Sequence, residues 1–207
     1  AQSPIDIAHS FHAHAQIRRR HMVPVMSLAI PILLSAVIVF LASSIVHMLL
    51  PYHRSDLRKL AKEDELLDTL RRLDVPPGDY CTPYAGSPAA MKDPAFVAKM
   101  NKGPVVLMTV ASGGPPSMTS NLVLWFVYSV VVSLFAGYIA SRALAPGANY
   151  LQVFRFVGTS AFMGYSLGLI QHSIWYKRNW GTTLKSVFDG LMYALLTAGT
   201  FGWLWPR

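Results

Sequence analysis

The sequence contains a single cysteine, Cys81, which excludes an intramolecular disulfide, a CxxC redox motif and a cluster of thiolate ligands. Charged residues are also scarce, at 14% of the chain against about 25% in soluble domains. The zinc-protease motif HExxH and the dinucleotide-binding motif GxGxxG are both missing. We therefore do not predict an enzyme, and we expect a fold that does not depend on disulfide bonds.

Apolar residues, in contrast, make up 53% of the chain, and its mean hydropathy is +0.37. So much apolar surface requires lipid, since 207 residues of this composition do not form an ordinary soluble domain. The formal net charge is +8, but the basic residues stand in short flanks beside the apolar runs. This placement favours contact with anionic lipid headgroups over nucleic acid.

Four apolar runs predict an all-α membrane protein with four transmembrane helices and a small α+β insert between the first two. The predicted division is a polar tail rich in His and Arg, the first span, an extramembrane insert, and spans 2 to 4. These cover residues 1–21, 22–50, 51–118 and 119–207. Within the last part, the runs lie at about 122–141, 153–176 and 184–205.

The insert carries signals for two helices and a strand. Residues 54–75 have a partial leucine stripe that predicts an amphipathic helix. Asp93 followed by Pro94 is a helix start, and Gly103 is the matching helix end. The β-branched run 104–110 predicts a strand, for which residues 79–84 are a candidate partner.

With four spans, both termini lie on one side of the membrane, and the insert lies on the other with the turn at Lys177. Basic residues nearly balance between the two sides. Because the first span usually dominates orientation, and Arg18, Arg19 and Arg20 precede it, we predict cytoplasmic termini.

Small residues recur every four positions in three of the spans, a pattern that marks close helix contacts in lipid. The rows are Ser129, Ser133, Gly137 and Ser141; Ser160, Gly164 and Gly168; and Gly190, Ala194, Ala198 and Gly202. They either close the bundle or dock a neighbouring subunit.

Three ionisable residues lie within or near the spans: His47, His172 and Asp189. The predicted topology puts all three near the insert side of the membrane, beneath His53 and Asp56. Because ionisable groups are costly in lipid, these five residues form a candidate functional cluster.

The cluster has three possible roles. His47 and His172 can be interfacial residues bonded to backbone or water, with Asp189 stabilised by the helix dipole or by Lys185. The two histidines can also hold haem b or a metal between two helices, and Asp189 can belong to a proton or solute path. No cofactor is predicted, and haem b is the alternative. Metal binding by the tail histidines His9, His12 and His14 is a weaker possibility.

Two stretches carry a resemblance, His47 to Leu60 (HMLLPYHRSDLRKL) and Phe201 to Pro206 (FGWLWP). In them the chain resembles a group of small bacterial four-helix integral membrane proteins of no known activity. The resemblance covers residues 30–207 and omits the tail. It implies location in a bacterial inner membrane and assigns no functional residues.

Together these features predict a non-catalytic accessory subunit of a larger membrane complex, of respiratory or photosynthetic type. Its partners would be other membrane-protein subunits and lipids, contacted through the tail, a small-residue row and the insert. One alternative is a membrane redox protein that holds haem or a metal with His47 and His172. The other is a small channel or transporter that uses Asp189.

Overall fold

The computed structural model describes residues 22–207. The predicted tail, 1–21, and its histidines and arginines lie outside the described residues. The chain forms two compact units. The first, which we call the bundle, comprises 22–54 and 117–207 of the described residues, and the second, the insert, comprises 55–116.

The two units contain seven α-helices and two strands. In chain order the helices are α1 (Ala29–Ser44), α2 (Glu63–Arg72), α3 (Pro94–Lys102), α4 (Met118–Ala143), α5 (Tyr150–Tyr165), α6 (Ile170–Trp175) and α7 (Trp180–Trp203). The strands are β1 (Gly78–Thr82) and β2 (Val106–Val110). Short 3-10 turns cover Val25–Leu28, Pro51–Ser55, Ala90–Lys92 and Leu167–Leu169, and a π turn covers Ile45–Leu49.

Within residues 22–207, three helical segments are long and apolar enough to cross a membrane. They are Val25–Leu49, Met118–Ala143 and Tyr150–Trp175, which we call spans 1, 2 and 3. The prediction of a mostly helical protein with membrane-spanning helices is therefore confirmed in part, with three helices that could cross a membrane. The run predicted as the fourth span lies mostly in α7, which has the length but not the hydropathy to be counted with the others.

Small residues let the bundle helices approach closely. A Cβ atom on Gly190 would lie 2.2 Å from Ser166 Oγ, and one on Gly137 would lie 2.8 Å from a ring carbon of Phe201. Hydroxyl groups add bonds between helices, as where Ser35 Oγ donates to Ser133 Oγ at 3.0 Å. Such contacts join helices that gain no hydrophobic free energy from meeting in lipid.

The structure puts most of the predicted small-residue rows inside the bundle. Ser129, Ser133, Ser141, Gly190, Ala194 and Ala198 are all buried. Gly164 faces Val132, at 3.0 Å from the position of a Cβ, and Gly202 faces Tyr150. The row of Ser160, Gly164 and Gly168 is less buried than the other two, because Ser160 is half-buried and both glycines are exposed. Nothing lies within 4 Å of the Cβ position of Gly168 among the described residues.

The insert contains the short helix and the strand that the sequence predicts from its capping, proline and glycine residues. The Asp93 side chain caps α3 by accepting a bond from the Ala95 N–H at 2.8 Å, and Gly103 ends the helix with φ of +60°. Strand β2 pairs antiparallel with β1, with Gly78 opposite Val110. The predicted strand and its predicted partner are thus confirmed as a two-stranded sheet.

The leucine-striped helix is shorter than the predicted 54–75, because α2 covers only Glu63–Arg72. Residues 51–55 form a 3-10 turn instead. The helix begins where three acidic residues occupy its first turn and ends with two arginines in its last, so both ends complement the helix dipole. Charge at the helix ends, more than the leucine stripe, accounts for its limits.

We expect Gly190→Ala to destabilise the bundle by about 1–3 kcal/mol, because the new methyl group overlaps Ser166 and approaches the Tyr165 backbone. Gly168→Ala is the matched control, and it should change stability by less than about 0.5 kcal/mol. SDS titration of the two purified variants in mixed micelles measures the difference. Equal stabilities would contradict the close contact.

Candidate metal centre

The site begins where span 1 changes from α-helix to a wider turn. The N–H of Leu50 donates to the Ile45 carbonyl at 3.3 Å, a step of five residues. Pro51 follows, and Leu50 is extended, as the residue before a proline tends to be. Turns of this kind inside helices occur frequently at functional sites, and this one contains His47.

Pro51 opens a 3-10 turn that brings the chain back toward the helix end. His53 lies in this turn, and its ring stacks on that of His47 with centroids 4.4 Å apart and planes 10° from parallel. The ring of Tyr52 lies 4.1 Å from that of His53. The Nδ1 atom of His47 lies 3.1 Å from the Ser43 carbonyl oxygen, so it can donate there and leave Nε2 as the accepting nitrogen.

Asp189 comes to the same place from α7. Asp189 is only 3% exposed. Both of its carboxylate oxygens contact the turn after span 1. The hydroxyl of Tyr52 donates to Oδ1, and Nε2 of His53 lies 2.9 Å from Oδ2. The His53 side chain is only 12% exposed. A buried carboxylate is thus held by two side chains that are neighbours in sequence.

Lys185 lies one helical turn before Asp189 and reaches the same turn. Its ammonium group donates to the Tyr52 carbonyl at 2.5 Å and lies 5.7 Å from the centre of the Tyr52 ring. Tyr52 is therefore bonded to α7 by its backbone and by its side chain. The site is a junction between the end of span 1 and the first half of α7.

Aromatic side chains continue the junction into the bundle. The indole N–H of Trp125 donates to Ser43 Oγ at 2.7 Å, and its ring lies 5.8 Å from that of Tyr193. Tyr193 follows Asp189 by one turn of α7 and is buried. Its hydroxyl has no hydrogen-bond partner among the residues 22–207 that the structure describes.

His47, His53 and Asp189 could together hold a metal ion. One ligand atom from each lies within 4.8 Å of the other two. Histidine nitrogen and carboxylate oxygen bind Zn²⁺ at roughly 2.0–2.2 Å, which puts two ligands of one ion roughly 3–3.5 Å apart. Nε2 of His53 and Oδ2 of Asp189 have about this spacing, at 2.9 Å, and the three ligands come from two parts of the chain far apart in sequence.

The structure brings together three of the five residues predicted as a polar cluster. Asp56 belongs to the insert and not to the bundle. His172 is exposed on α6, where its ring lies 5.7 Å from that of Tyr176. It is not a member of the donor group found among the described residues. The pairing of His47 with His172 around haem stays a prediction.

The sequence GYSLG matches a hydrolase motif, but its structural surroundings are not those of a nucleophilic serine. Residues Gly164 to Gly168 read GYSLG and match GxSxG, the pattern that carries the nucleophile of many hydrolases between a strand and a helix. Here Ser166 lies at the break between α5 and a 3-10 turn. It is fully buried, and its hydroxyl donates to the Val187 carbonyl at 3.2 Å. This serine has a structural role at the helix break.

Sequence reasoning missed Tyr52, Trp125 and Tyr193 as parts of the site. Tyr193 could have been found by its spacing, because residues four apart share a helix face. Tyr52 precedes His53, but no pattern indicates that its hydroxyl meets a residue 137 positions away. Trp125 resembles any tryptophan near a span end until its partner Ser43 is known.

We expect Tyr52→Phe to lower the free energy of unfolding by about 1.5–3 kcal/mol, since hydrogen bonds to charged groups contribute about that much. The phenyl ring would keep its contact with the His53 ring, so only the bond to Asp189 is removed. Tyr176→Phe is the control, because Tyr176 is 64% exposed. A double-mutant cycle with Asp189→Asn gives the coupling between the two side chains, and a coupling near zero would contradict the bond.

Comparison of the chain with protein-family models, curated proteins and solved structures finds no match. Function must therefore be argued from the chemistry and geometry of the site.

Proposed function

We propose that this chain is a four-span membrane protein that binds a divalent transition-metal ion at one end of its bundle. The ligands are His47, His53 and Asp189. The observation that carries the proposal is the convergence of their ligand atoms within 4.8 Å of one another. Ionisable groups inside membrane bundles are costly and mark functional sites by default.

The ligand set favours Zn²⁺, Fe²⁺ or Mn²⁺. Imidazole suits zinc and iron, carboxylate suits manganese, and two histidines with one carboxylate can bind either zinc or iron. Cys81, the only cysteine in the sequence, is not a member of the donor group found among the described residues, so the group has no soft ligand. Three protein ligands leave at least one coordination position for water or another molecule.

Neighbouring groups orient two of the ligands. The contact of His47 Nδ1 with the Ser43 carbonyl leaves Nε2 as its ligand atom, and the Tyr52 hydroxyl on Oδ1 leaves Oδ2 of Asp189, which His53 Nε2 already contacts. Such outer contacts are typical of metal sites. The two imidazole rings are now stacked, so binding requires one ring to turn about its Cβ–Cγ bond until both nitrogens converge.

Helix α7 is the proposed fourth span. It has 24 residues, which make about 36 Å of helix, enough to cross the roughly 30 Å hydrocarbon core. Its far end meets the connection between spans 2 and 3. Trp205 Nε1 donates to the Ala145 carbonyl at 3.0 Å, and the Gly147 N–H donates to the Pro206 carbonyl at 2.8 Å. Helix α7 therefore runs antiparallel to span 3 over the same distance.

The low hydropathy of α7 follows from which side of the helix carries its polar residues. Thr182, Thr183, Asp189, Thr197 and Thr200 are buried in the bundle. The exposed residues include large apolar ones: Leu184, Phe188, Leu191, Leu195, Leu196 and Trp203. An average over all residues hides this division, and the outward face of α7 suits lipid.

The accessory-subunit hypothesis stays a prediction, as do the bacterial inner membrane and cytoplasmic termini. Of its three contact elements, the tail lies outside the described residues and most of the small-residue rows face the bundle interior. The channel alternative rests on Asp189, which the metal proposal uses as a ligand. The proposed metal site is the more specific use of that residue, since two histidines adjoin it.

The metal proposal predicts about one equivalent of Zn²⁺ or Co²⁺ per purified chain. All proteins would carry alanine at His9, His12, His14 and His21, so that the tail histidines add no ligands. His47→Ala, His53→Ala and Asp189→Asn should each weaken Zn²⁺ binding at least tenfold, since each removes one of three ligands. Elemental analysis and competition with a zinc dye give stoichiometry and affinity, and Co²⁺ reports coordination by its visible absorption.

His172→Ala is the matched control and should bind Zn²⁺ as the unchanged protein does. Size-exclusion profiles and helical circular dichroism show whether each variant keeps its fold. If folded His47→Ala and Asp189→Asn variants bind Zn²⁺ with unchanged affinity, the proposed site is wrong. A haem absorption band that is lost in both His47→Ala and His172→Ala would support the haem alternative instead.

Four spans predict that residues 146 and 207 share one side of the membrane, opposite residues 81 and 178. Single cysteines at Pro146, Arg178 and Arg207 in a Cys81→Ser background, together with native Cys81, can be tested in sealed vesicles. A membrane-impermeant maleimide should label one pair and spare the other. Labelling of Arg207→Cys together with Arg178→Cys would contradict a fourth span.

A further inference from the structure

The insert exposes apolar side chains and has no buried core. All residues of 55–116 are described, and none of them is buried. Leu57 is 91% exposed, Leu73 is 67% exposed, and Leu66 and Leu67 of α2 are each nearly half exposed. A unit of this size cannot obtain its stability from such weak burial, and two strands alone are marginal. Its apolar residues need cover from outside the unit.

The leucines of α2 form one face. Leu66, Leu67, Leu70 and Leu73 follow the spacing i, i+1, i+4, i+7, which gathers them on one side of a helix. Glu65, Asp68 and Arg72 lie on the opposite side. A short helix with one apolar and one charged face is the usual form of a segment that lies in the plane of a membrane interface.

The chain holds this helix near a membrane at both ends of the insert. Span 1 ends at Leu49, α2 begins at Glu63, and span 2 begins at Met118, directly after the insert. A tethered segment meets the bilayer at a high effective concentration, which a free protein partner does not have. The surface always present to cover the leucine face is therefore the bilayer of the chain's own spans.

Charge indicates which property of the bilayer matters. The insert has eight basic and eight acidic side chains, so it carries no formal net charge. Several of these charges pair locally, as Lys59 does with Glu63, and Arg71 with Asp68. Attraction to anionic headgroups needs an excess of basic residues, which the insert lacks. Burial of the leucines is then the driving force for binding of the insert to the bilayer.

We propose that α2 is an interfacial helix, with its leucine face immersed in the headgroup region of the bilayer that spans 1 and 2 cross. It requires no anionic lipid. This inference is independent of the metal site, because it uses only the insert and the span ends that flank it. It assigns the insert a lipid-binding function.

Site-directed spin labelling of the full chain tests this proposal. The chain is placed in phosphatidylcholine nanodiscs with Cys81→Ser, and a nitroxide is attached at Leu67→Cys. Glu65→Cys is the matched control, two residues away and about 200° around the helix. Collisions with oxygen, which concentrates in lipid, and with a water-soluble nickel chelate report where each label lies.

The ratio of oxygen to nickel collisions should be at least threefold higher at residue 67 than at 65. It should change by less than a factor of two in high salt or on addition of anionic lipid. A second label at Leu73→Cys should behave as the one at Leu67→Cys does.

Equal ratios at 65 and 67 would overturn the proposal, because both faces would then be in water. Shielding of residue 67 from both reagents would also overturn it, by indicating a protein cover such as a second copy of the chain. Loss of the difference in high salt would refute apolar burial as the driving force.

Discussion

The buried carboxylate of Asp189 is the constraint around which the bundle end is arranged. A charge in a membrane bundle must be paired, because the lipid offers no water to solvate it. Its partners, Tyr52 and His53, come from the turn after span 1, and Lys185 bonds to the same turn. The π turn, the proline and the 3-10 turn all serve to bring these groups onto α7.

The need to pair polar groups away from water also governs the contacts between the helices of the bundle. Helices there meet through small residues and through hydroxyl groups bonded across the contacts, as Gly190 and Ser35 illustrate. Polar side chains on α7 can then be numerous without facing lipid. Consequently, the average hydropathy of a helix is a poor guide to spanning where one face is polar and buried.

Bundle and insert follow different physical rules. The bundle pairs most of its buried polar groups internally, the Tyr193 hydroxyl excepted, and presents leucine, phenylalanine and tryptophan outward, which suits a lipid surround. The insert has regular helices and a paired sheet but no residue shielded from its surroundings. The proposed metal site and the proposed interfacial helix are thus independent of each other, and either proposal can fail without the other.

Local signals in the sequence determined the three apolar spans, the Asp93 and Gly103 limits of α3, and a strand within 104–110, for which 79–84 was a candidate partner. Proline, glycine, capping residues and long apolar runs act over a few residues, so they can be read without a fold. Only the tertiary structure decided that His53 and Tyr52, not His172, join His47 and Asp189. That choice depends on the contact between the turn after span 1 and α7, which joins residues more than a hundred positions apart.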